Sequence, residues 1–199
     1  MENDQPRVDP HGKVPEILTL VNFRNRLPGN YIPQLVPVEG GKEIDGRCSC
    51  HLEQMLKDCR TAGGCPHIVS AYRSTELQSR LFQEKTEQFM KYYGLELSMA
   101  RGAAVWYVAP PYASEHELGL AADISDDPKD LTVSGSFTAR WLEENAWKYG
   151  FILRYPKGKE KITGVVYEPW HFRYVGIQYA REMHIAGITL EEYLALNYP

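Results

Sequence analysis

Two segments of this 199-residue sequence carry residue types that hydrolytic metal sites use. The first, residues 114–123, reads Ser-Glu-His-Glu-Leu-Gly-Leu-Ala-Ala-Asp, and the second, residues 168–171, reads Glu-Pro-Trp-His. A lone histidine is more often an ordinary surface or core residue than a ligand. Several scarce residue types coincide in these two segments, so they are the candidates for chemistry. The other histidines stay unassigned: His11, His51, His67 and His184.

Three side chains in these segments form a ligand set for zinc. His116 and His171 offer neutral imidazoles and Asp123 offers a carboxylate, which are donors that hydrolytic zinc prefers. Three protein ligands leave the fourth position open to water, which distinguishes a catalytic zinc site from a structural one. The ion lowers the pKa of that water and polarises a carbonyl group. The sequence therefore predicts a hydrolytic site with one zinc ion.

A general base is expected beside the metal. Glu168 stands three residues before His171 and directly before Pro169, which favours an extended backbone at Glu168. A turn there aims both side chains into one cleft. A buried carboxylate in that position can take a proton from water and later pass it to a leaving amine.

Some of these residues also have purely structural interpretations. Asp123 can cap a turn over residues 123–127, Gly119 can serve only a tight turn, and Trp170 can belong to the core.

The cysteines do not form the predicted active site. Cys48, Cys50, Cys59 and Cys65 lack the paired C-x2-C spacing of a zinc ribbon. A disulfide between Cys59 and Cys65 in an oxidising compartment, or free thiols, remain as alternatives.

Composition restricts the class of protein. A net charge of −4 and a pI near 5.9 give no basic stripe for nucleic acid. No apolar run reaches the length of a membrane span, and the first residues lack the basic and apolar regions of a secretion signal. The length predicts one domain. We expect a flexible arm over residues 1–15 and a single catalytic domain over residues 16–199.

Hydrophobic periodicity and turn residues predict both helices and short strands. Expected helices cover 50–62, 75–93, 96–105 and 137–149, with a last short one after the Thr189/Glu192 capping box. Expected strands cover 17–21, 67–72, 118–124 and 171–175, and 151–155 with 162–167 as a hairpin. This order favours an α+β fold with a small, mostly antiparallel central sheet flanked by helices.

The two motifs together resemble those of a known enzyme family. Ser-x-His-x-x-Gly-x-Ala-x-Asp followed by Glu-x-Trp-His is similar to the zinc D-alanyl-D-alanine carboxypeptidases and dipeptidases of bacterial cell-wall metabolism. That family includes vancomycin-resistance D,D-carboxypeptidases and L,D-carboxypeptidases. The resemblance extends over about residues 17–195, with flanking matches at 70–74, 150–156, 162–164 and 173–176. It implies the α+β zinc peptidase fold shared with Hedgehog-like proteins.

The resemblance also implies roles for individual residues. His116, Asp123 and His171 would hold one Zn²⁺, with Glu168 as the catalytic base. Arg73 would act near the scissile bond on a carboxylate or an oxyanion, which suits the guanidinium fork. The remaining expected substrate contacts are Gln78, Ser114, Tyr155 and, as a pocket wall, Trp170. Gln78 also suits a structural role in the first turn of its helix, and Tyr155 can be a plain strand-end aromatic.

The function implied is release of a C-terminal D-alanine from peptidoglycan stem peptides or their precursors. The match over residues 161–175 favours D,D specificity, with an L,D-carboxypeptidase of tetrapeptide stems as the alternative. A D,D-dipeptidase would need a closed pocket, and a non-catalytic cell-wall peptide-binding module is the rival from another class. Two departures from the family stand out: Tyr112, whose bulk is expected at the cleft mouth in place of a glycine, and Glu117 in place of glutamine.

The resemblance further implies an extracytoplasmic monomer. It would act at the cell wall or be anchored to the membrane, with a leader that this sequence does not include, and a cytoplasmic location is the alternative. We expect no nucleic-acid partner and no membrane span in this chain.

Overall fold

The fold is described from a computed structural model that covers residues 13–131 and 135–198. The predicted flexible arm, residues 1–15, lies almost wholly outside these described residues.

Helices and strands alternate irregularly along the chain. The helices are α1 Gly46–Thr61, α2 Thr75–Tyr93, α3 Leu97–Ala104, α4 Phe137–Asn145, α5 Glu160–Thr163, α6 Ile177–Ala186 and α7 Leu190–Asn197. The strands are β1 Leu35–Val38, β2 Lys42–Asp45, β3 His67–Ser70, β4 Ala121–Ser125, β5 Phe151–Leu153 and β6 His171–Tyr174. Short 3-10 turns occur at Glu16–Leu18, Glu39–Gly41 and Ala146–Tyr149.

The central sheet has four strands in the order β3-β4-β6-β5, and each neighbouring pair is antiparallel. β1 and β2 form a separate antiparallel hairpin. The predicted α+β class with a small antiparallel sheet is confirmed.

Capping residues define the two long helices. Asp45 caps α1 by accepting from the Arg47 backbone N–H, and the buried face of α1 joins the main core. Ser74 caps α2 by accepting from Leu77, and Gly94, with a positive φ, ends it. An N-cap oxygen satisfies a backbone donor that the helix cannot pair internally. The predicted helix over 75–93 is confirmed.

The middle strands of the sheet position the predicted ligands. Every residue of β4 is buried, and so is every residue of β6. Asp123 on β4 lies directly opposite His171 on β6 in the antiparallel register. Residues opposite each other on one face of such a pair have neighbouring Cβ atoms.

The predicted strand over residues 17–21 is wrong. This segment begins with a 3-10 turn, and the carbonyl oxygens of Ile17 and Thr19 accept hydrogen bonds from the buried Arg173 guanidinium. A side chain thus satisfies backbone groups that a strand partner would otherwise satisfy.

The predicted hairpin of 151–155 with 162–167 is also wrong. β5 pairs with β6 instead, and residues 160–163 form one helical turn that Gly164 closes with a φ of 75°. A left-handed glycine is a frequent helix end.

Two elements were absent from the sequence-based prediction. The β1–β2 hairpin turns through Gly40 and Gly41, which both have positive φ, and consecutive glycines between apolar runs are a hairpin signal. Helix α6 buries only Ala180 and Met183, so its apolar pattern is short.

The four cysteines are free thiols in this structure, so the Cys59–Cys65 disulfide alternative is not formed. Burial raises the pKa of Cys48 to about 12 and that of Cys59 to about 11. Both thiols are therefore protonated at neutral pH.

Tyr112 occupies a backbone conformation that suits glycine. Among the described residues it is the one non-glycine residue with a positive φ, 65°. Its N–H donates to Glu117 Oε1 at 2.9 Å and its carbonyl accepts from the Leu27 N–H at 2.7 Å, and these bonds hold the peptide in place. Tyr112 is not among the residues that line the cleft around His116, Asp123 and His171, and the expected effect of its bulk at the cleft mouth stays a prediction.

This conformation gives the first testable prediction. We expect Tyr112→Gly to be more stable than Tyr112→Ala by about 1 kcal/mol, because both remove the ring and only glycine tolerates this φ. For a chain of this size the difference corresponds to roughly 2–4 °C in Tm. Thermal unfolding of the two variants measures it, and equal Tm values would contradict a left-handed residue 112.

Candidate metal centre and active site

The three predicted ligands meet in the interior. One donor atom from each of His116, Asp123 and His171 lies within 4.8 Å of the others, and all three residues are buried. The two histidine rings stand edge to face, with centroids 4.8 Å apart. The structure therefore brings together the whole set that the sequence indicates, and Asp123 acts neither as a turn cap nor as a surface residue.

A backbone carbonyl orients His116. Its Nδ1 lies 2.6 Å from the carbonyl oxygen of Ala71, which leaves Nε2 pointing into the cluster. Nε2 is buried and has no hydrogen-bond partner. Metal-binding histidines commonly use one ring nitrogen for such an anchor and the other for the metal.

A carboxylate orients His171 in the same way. Its Nε2 lies 3.3 Å from Glu115 Oε2, and its Nδ1 lies 3.1 Å from Asp123 Oδ1. The ring thus presents Nδ1 to the cluster and Nε2 to the protein behind it.

Both oxygens of Asp123 lie close to nitrogen atoms of the cluster. Arg73 Nη2 contacts Oδ2, which also lies 3.3 Å from His116 Nε2, and Oδ1 lies 3.1 Å from His171 Nδ1. His116 Nε2 and Asp123 Oδ1 are nevertheless buried without an aligned hydrogen bond, as is Gln78 Oε1 in the same cleft. Ligand atoms this close together without aligned hydrogen bonds suit a divalent ion, so the cluster fits one Zn²⁺.

Burial and neighbouring charges set the protonation of the ligands. Burial, together with the Arg73 charge, lowers the pKa of His116 to about 4, so its imidazole is neutral as a ligand requires. Burial acts to lower the pKa of His171 too, but the Asp123 and Glu115 carboxylates outweigh it and raise that pKa to about 9. Burial opposes ionisation of Asp123, yet His116 and Arg73 hold its pKa well below the usual range.

Glu168 lies beside the ligands without replacing one. Its Oε2 is 3.8 Å from His171 Nδ1, and the residue is 8% exposed. Burial raises its pKa to about 8, and a cation on the neighbouring ligands would favour its charged form. The turn 168–171, closed by a bond from the His171 N–H to the Glu168 carbonyl, places both side chains in one cleft as the sequence predicts.

A cleft of about 270 Å³ opens above the cluster. All nine site residues predicted from the sequence line it: Arg73, Gln78, Ser114, His116, Asp123, Tyr155, Glu168, Trp170 and His171. Whether they perform the predicted roles stays a prediction at this point.

The predicted substrate residues have distinct local contacts. Gln78 donates through Nε2 to the Ala109 carbonyl at 2.7 Å, which leaves its buried Oε1 unpartnered. Ser114 Oγ accepts from the His116 N–H at 3.3 Å. The Tyr155 ring lies 4.8 Å from the His171 ring, measured between centroids. Trp170 is half-buried at the cleft wall and not a core residue.

Gly119 has the structural role considered for it. Its φ is 80°, and a Cβ there would lie 3.0 Å from Pro33 and 3.4 Å from Asp45. The glycine in the first motif therefore permits a tight turn against the β1–β2 hairpin.

Sequence reasoning missed two groups of residues. One wall of the cleft is a face of α2, where Leu81, Lys85 and Gln88 lie beside the predicted Gln78, and their helical spacing from Gln78 is a signal that could have found them. The second group is the buried cluster of Glu115, Arg154 and Arg173 behind His171. Its members lie far apart in sequence, so no spacing indicates them.

Comparisons with known proteins agree with this geometry. Residues 41–177 match the family model described as VanY: D-alanyl-D-alanine carboxypeptidase. The chain is 42% identical over 177 residues to the D-alanyl-D-alanine carboxypeptidase of Enterococcus faecalis, covering 89% of this chain. It spans about 65% of the length of that relative.

Solved structures resemble this one over most of its length. The structure titled VanYB in complex with D-alanine-D-alanine superposes with a TM-score of 0.83 at 42% identity, covering 89% of this chain and 97% of that one. A mutant VanY D,D-pentapeptidase in complex with Zn(II) gives a TM-score of 0.82 at 43% identity, covering 89% and 98%. The LdcB LD-carboxypeptidase gives 0.76 at 37% identity, covering 90% and 86%.

The cluster predicts zinc binding with a stoichiometry of one. We expect His171→Ala to weaken zinc affinity by more than about 100-fold, since removal of a ligand costs more than removal of the group that orients it. Titration calorimetry of zinc into metal-free protein measures both the stoichiometry and the affinity.

His184→Ala is the matched control, because His184 is exposed and stacks on Trp147 away from the cluster. Its zinc affinity should equal that of the unmodified chain. Equal losses in the two variants, or a second bound ion, would contradict the proposed ligand set.

Proposed function

This chain belongs to the D-alanyl-D-alanine carboxypeptidase family, and we propose that it is a zinc-dependent carboxypeptidase that hydrolyses the C-terminal D-alanine from peptidoglycan stem peptides or their precursors. The observation that carries the proposal is the cluster of His116, Asp123 and His171, whose donor atoms lie within 4.8 Å of one another at the floor of a cleft that Glu168 also lines.

The ligand atoms follow from the hydrogen bonds around them. His116 Nε2, His171 Nδ1 and the Asp123 carboxylate would hold the ion, because the other ring nitrogens face the Ala71 carbonyl and Glu115. When bound, zinc lowers the pKa of water and polarises a scissile carbonyl.

Glu168 is the proposed general base. Its carboxylate lies on the cleft side of His171, where it can accept a proton from the attacking water. After the C–N bond breaks, the same carboxyl returns that proton to the amine of the departing D-alanine. The proton therefore moves from water to product through one side chain.

Arg73 is proposed to bind the substrate near the scissile bond. Its Nε donates to Ser70 Oγ at 2.7 Å and its Nη2 contacts Asp123, which fixes the plane of the guanidinium. A guanidinium has five N–H donors, so donors remain for a carboxylate or a developing oxyanion in the cleft.

The remaining contacts are proposed to hold the terminal D-alanine. Gln78 Oε1 can accept an N–H from the substrate, and the Ser114 hydroxyl, which already accepts from His116, can donate to a carboxylate. Tyr155 and Trp170 supply walls on either side of His171.

D,D specificity is the better supported choice. Relatives named D-alanyl-D-alanine carboxypeptidases and the VanYB complex favour it. The L,D alternative rests on the LdcB structure, which is less similar by both identity and TM-score. The cleft also reaches the exposed side chains of Glu84 and Gln88, so it admits longer peptides, unlike the closed pocket expected of a dipeptidase.

Domain organisation, assembly and location form part of the same proposal. All nine predicted site residues line one cleft, which supports a single catalytic domain over residues 16–199. The proposal also retains the expected monomer. Peptidoglycan stems lie outside the cytoplasmic membrane, which supports an extracytoplasmic location. No helix among residues 13–131 and 135–198 is long and apolar enough to cross a membrane.

Amino-acid release from two stem peptides tests the function. One substrate ends in L-Lys-D-Ala-D-Ala and the other in L-Lys-D-Ala. We expect zinc-loaded protein to release D-alanine from the first, and Glu168→Gln to lower kcat by about 10²–10⁴-fold because it cannot accept the proton.

The matched control is Glu53→Gln, since Glu53 is exposed on α1, and it should retain full activity. Release only from the second peptide would make the chain an L,D-carboxypeptidase. No release from either peptide, with zinc bound, would support the non-catalytic binding module.

Gln78 gives a separate prediction about substrate binding. We expect Gln78→Met to raise KM for the first peptide about tenfold, because loss of one acceptor for a buried N–H costs about 1–3 kcal/mol. Gln83→Met, on an exposed face of the same helix, is the control and should leave KM unchanged. Steady-state kinetics distinguishes the two, and equal KM values would assign Gln78 only its bond to the Ala109 carbonyl.

A further inference from the structure

Four charged side chains form a cluster behind His171 and take no direct part in the proton transfers proposed above. Glu115 and Arg173 are completely buried side chains, the Arg154 side chain is 1% exposed, and the Glu191 side chain is 14% exposed. Arg154 and Arg173 lie in segments that resemble the family, yet the resemblance implies no role for either residue.

Glu115 divides its two oxygens between different partners. Oε1 accepts from Arg154 Nε at 2.8 Å and from Arg173 Nη1 at 2.9 Å. Oε2 lies 3.3 Å from His171 Nε2. The two arginines therefore fix the carboxylate, and its second oxygen is directed at the imidazole.

Each arginine is in turn held by distant parts of the chain. Arg154 donates to both oxygens of Glu191 on α7, at 2.9 and 2.6 Å. Arg173 donates to the carbonyls of Ile17 and Thr19, at 2.9 and 3.0 Å, and to that of Tyr174 at 2.9 Å. The guanidinium groups therefore have little freedom to move, and neither has Glu115.

Stability alone is a poor explanation for this cluster. Replacing a buried ion-pair cluster by well-packed apolar side chains is often neutral or stabilising, because desolvation of the charges is costly. Two guanidinium groups lie against one oxygen of Glu115, Arg154 at 2.8 Å and Arg173 at 2.9 Å, and this arrangement favours a charged carboxylate facing the ring.

We propose that Glu115 is a positioning residue for His171. Its carboxylate accepts a hydrogen bond from the Nε2–H of that ring, which leaves Nδ1 to bind the metal. This inference rests on the proposed metal site and extends it to the residues behind the ligands. Arg154 and Arg173 act through Glu115, since they fix the oxygen that faces the ring.

Zinc affinity of Glu115→Gln, measured by competition with a chelator, tests the proposal. The amide has the shape of the carboxylate but lacks its charge, and loss of a group that orients a ligand typically weakens metal binding 10–100-fold. We expect a loss in that range.

Glu117→Gln is the matched control, because it removes a charge from a buried carboxylate on the same loop. Glu117 accepts from the Tyr112 and Ser114 N–H groups, at 2.9 and 3.2 Å, and makes no contact with His171. Its zinc affinity should be unchanged. Equal affinities in the two variants would overturn the proposal.

A second measurement needs no variant and applies even where Glu115→Gln fails to fold. Nitrogen-15 NMR of the zinc-loaded chain reports which nitrogen of His171 carries the proton. A proton on Nε2 with Nδ1 on the metal is expected. A proton on Nδ1 would overturn the proposal.

These readouts do not depend on turnover. If the chain binds zinc with the expected tautomer and releases no D-alanine, the proposed function fails and the positioning role stands. If hydrolysis occurs and Glu115→Gln binds zinc as tightly as Glu117→Gln, the proposed function stands and the positioning role fails.

Discussion

The pairing of β4 with β6 is the interaction on which the site depends. In this antiparallel register Asp123 lies directly opposite His171, so strand pairing alone brings a carboxylate and an imidazole into contact. His116 approaches from the loop before β4, where the Ala71 carbonyl fixes its ring. A shift of one residue in the register would turn one of the facing side chains to the other side of the sheet. The fold and the metal cluster therefore form together.

The interior around Asp123 and His171 is polar, and metal binding can offset the free-energy cost of burying these polar groups. His116 Nε2 and Asp123 Oδ1 are buried without aligned hydrogen bonds, so the loss of their hydration is not fully compensated within the protein. A ligand that binds only the folded state stabilises it by mass action. Zinc would thus contribute to folding as well as to hydrolysis. Arg154 and Arg173 hold Glu115, whose other oxygen lies 3.3 Å from His171 Nε2.

Residues close together in sequence were predictable, and contacts between distant segments were not. The two motifs identified the ligands and Glu168, and helix periodicity identified α1 and α2. The prediction of a strand over residues 17–21 is wrong because Arg173, over 150 residues away in sequence, donates hydrogen bonds to carbonyls of that segment. The prediction of a hairpin within residues 151–167 is wrong because β5 pairs with β6 instead. Glu115 lies within the first motif, but its contacts come from two other places in the chain, Arg154 after β5 and both His171 and Arg173 on β6.

The site separates the groups proposed for chemistry from those that shape the cleft. The metal ligands and Glu168 lie on the central strands and the turns next to them, where the sheet register restrains them. One wall comes from α2, through Leu81, Lys85 and Gln88, and from the segment at Tyr107 to Ala109. Substitutions on this helix face can alter which peptide fits without disturbing the β4–β6 register. The wall from α2 can therefore vary while the strands that carry the metal ligands keep their register.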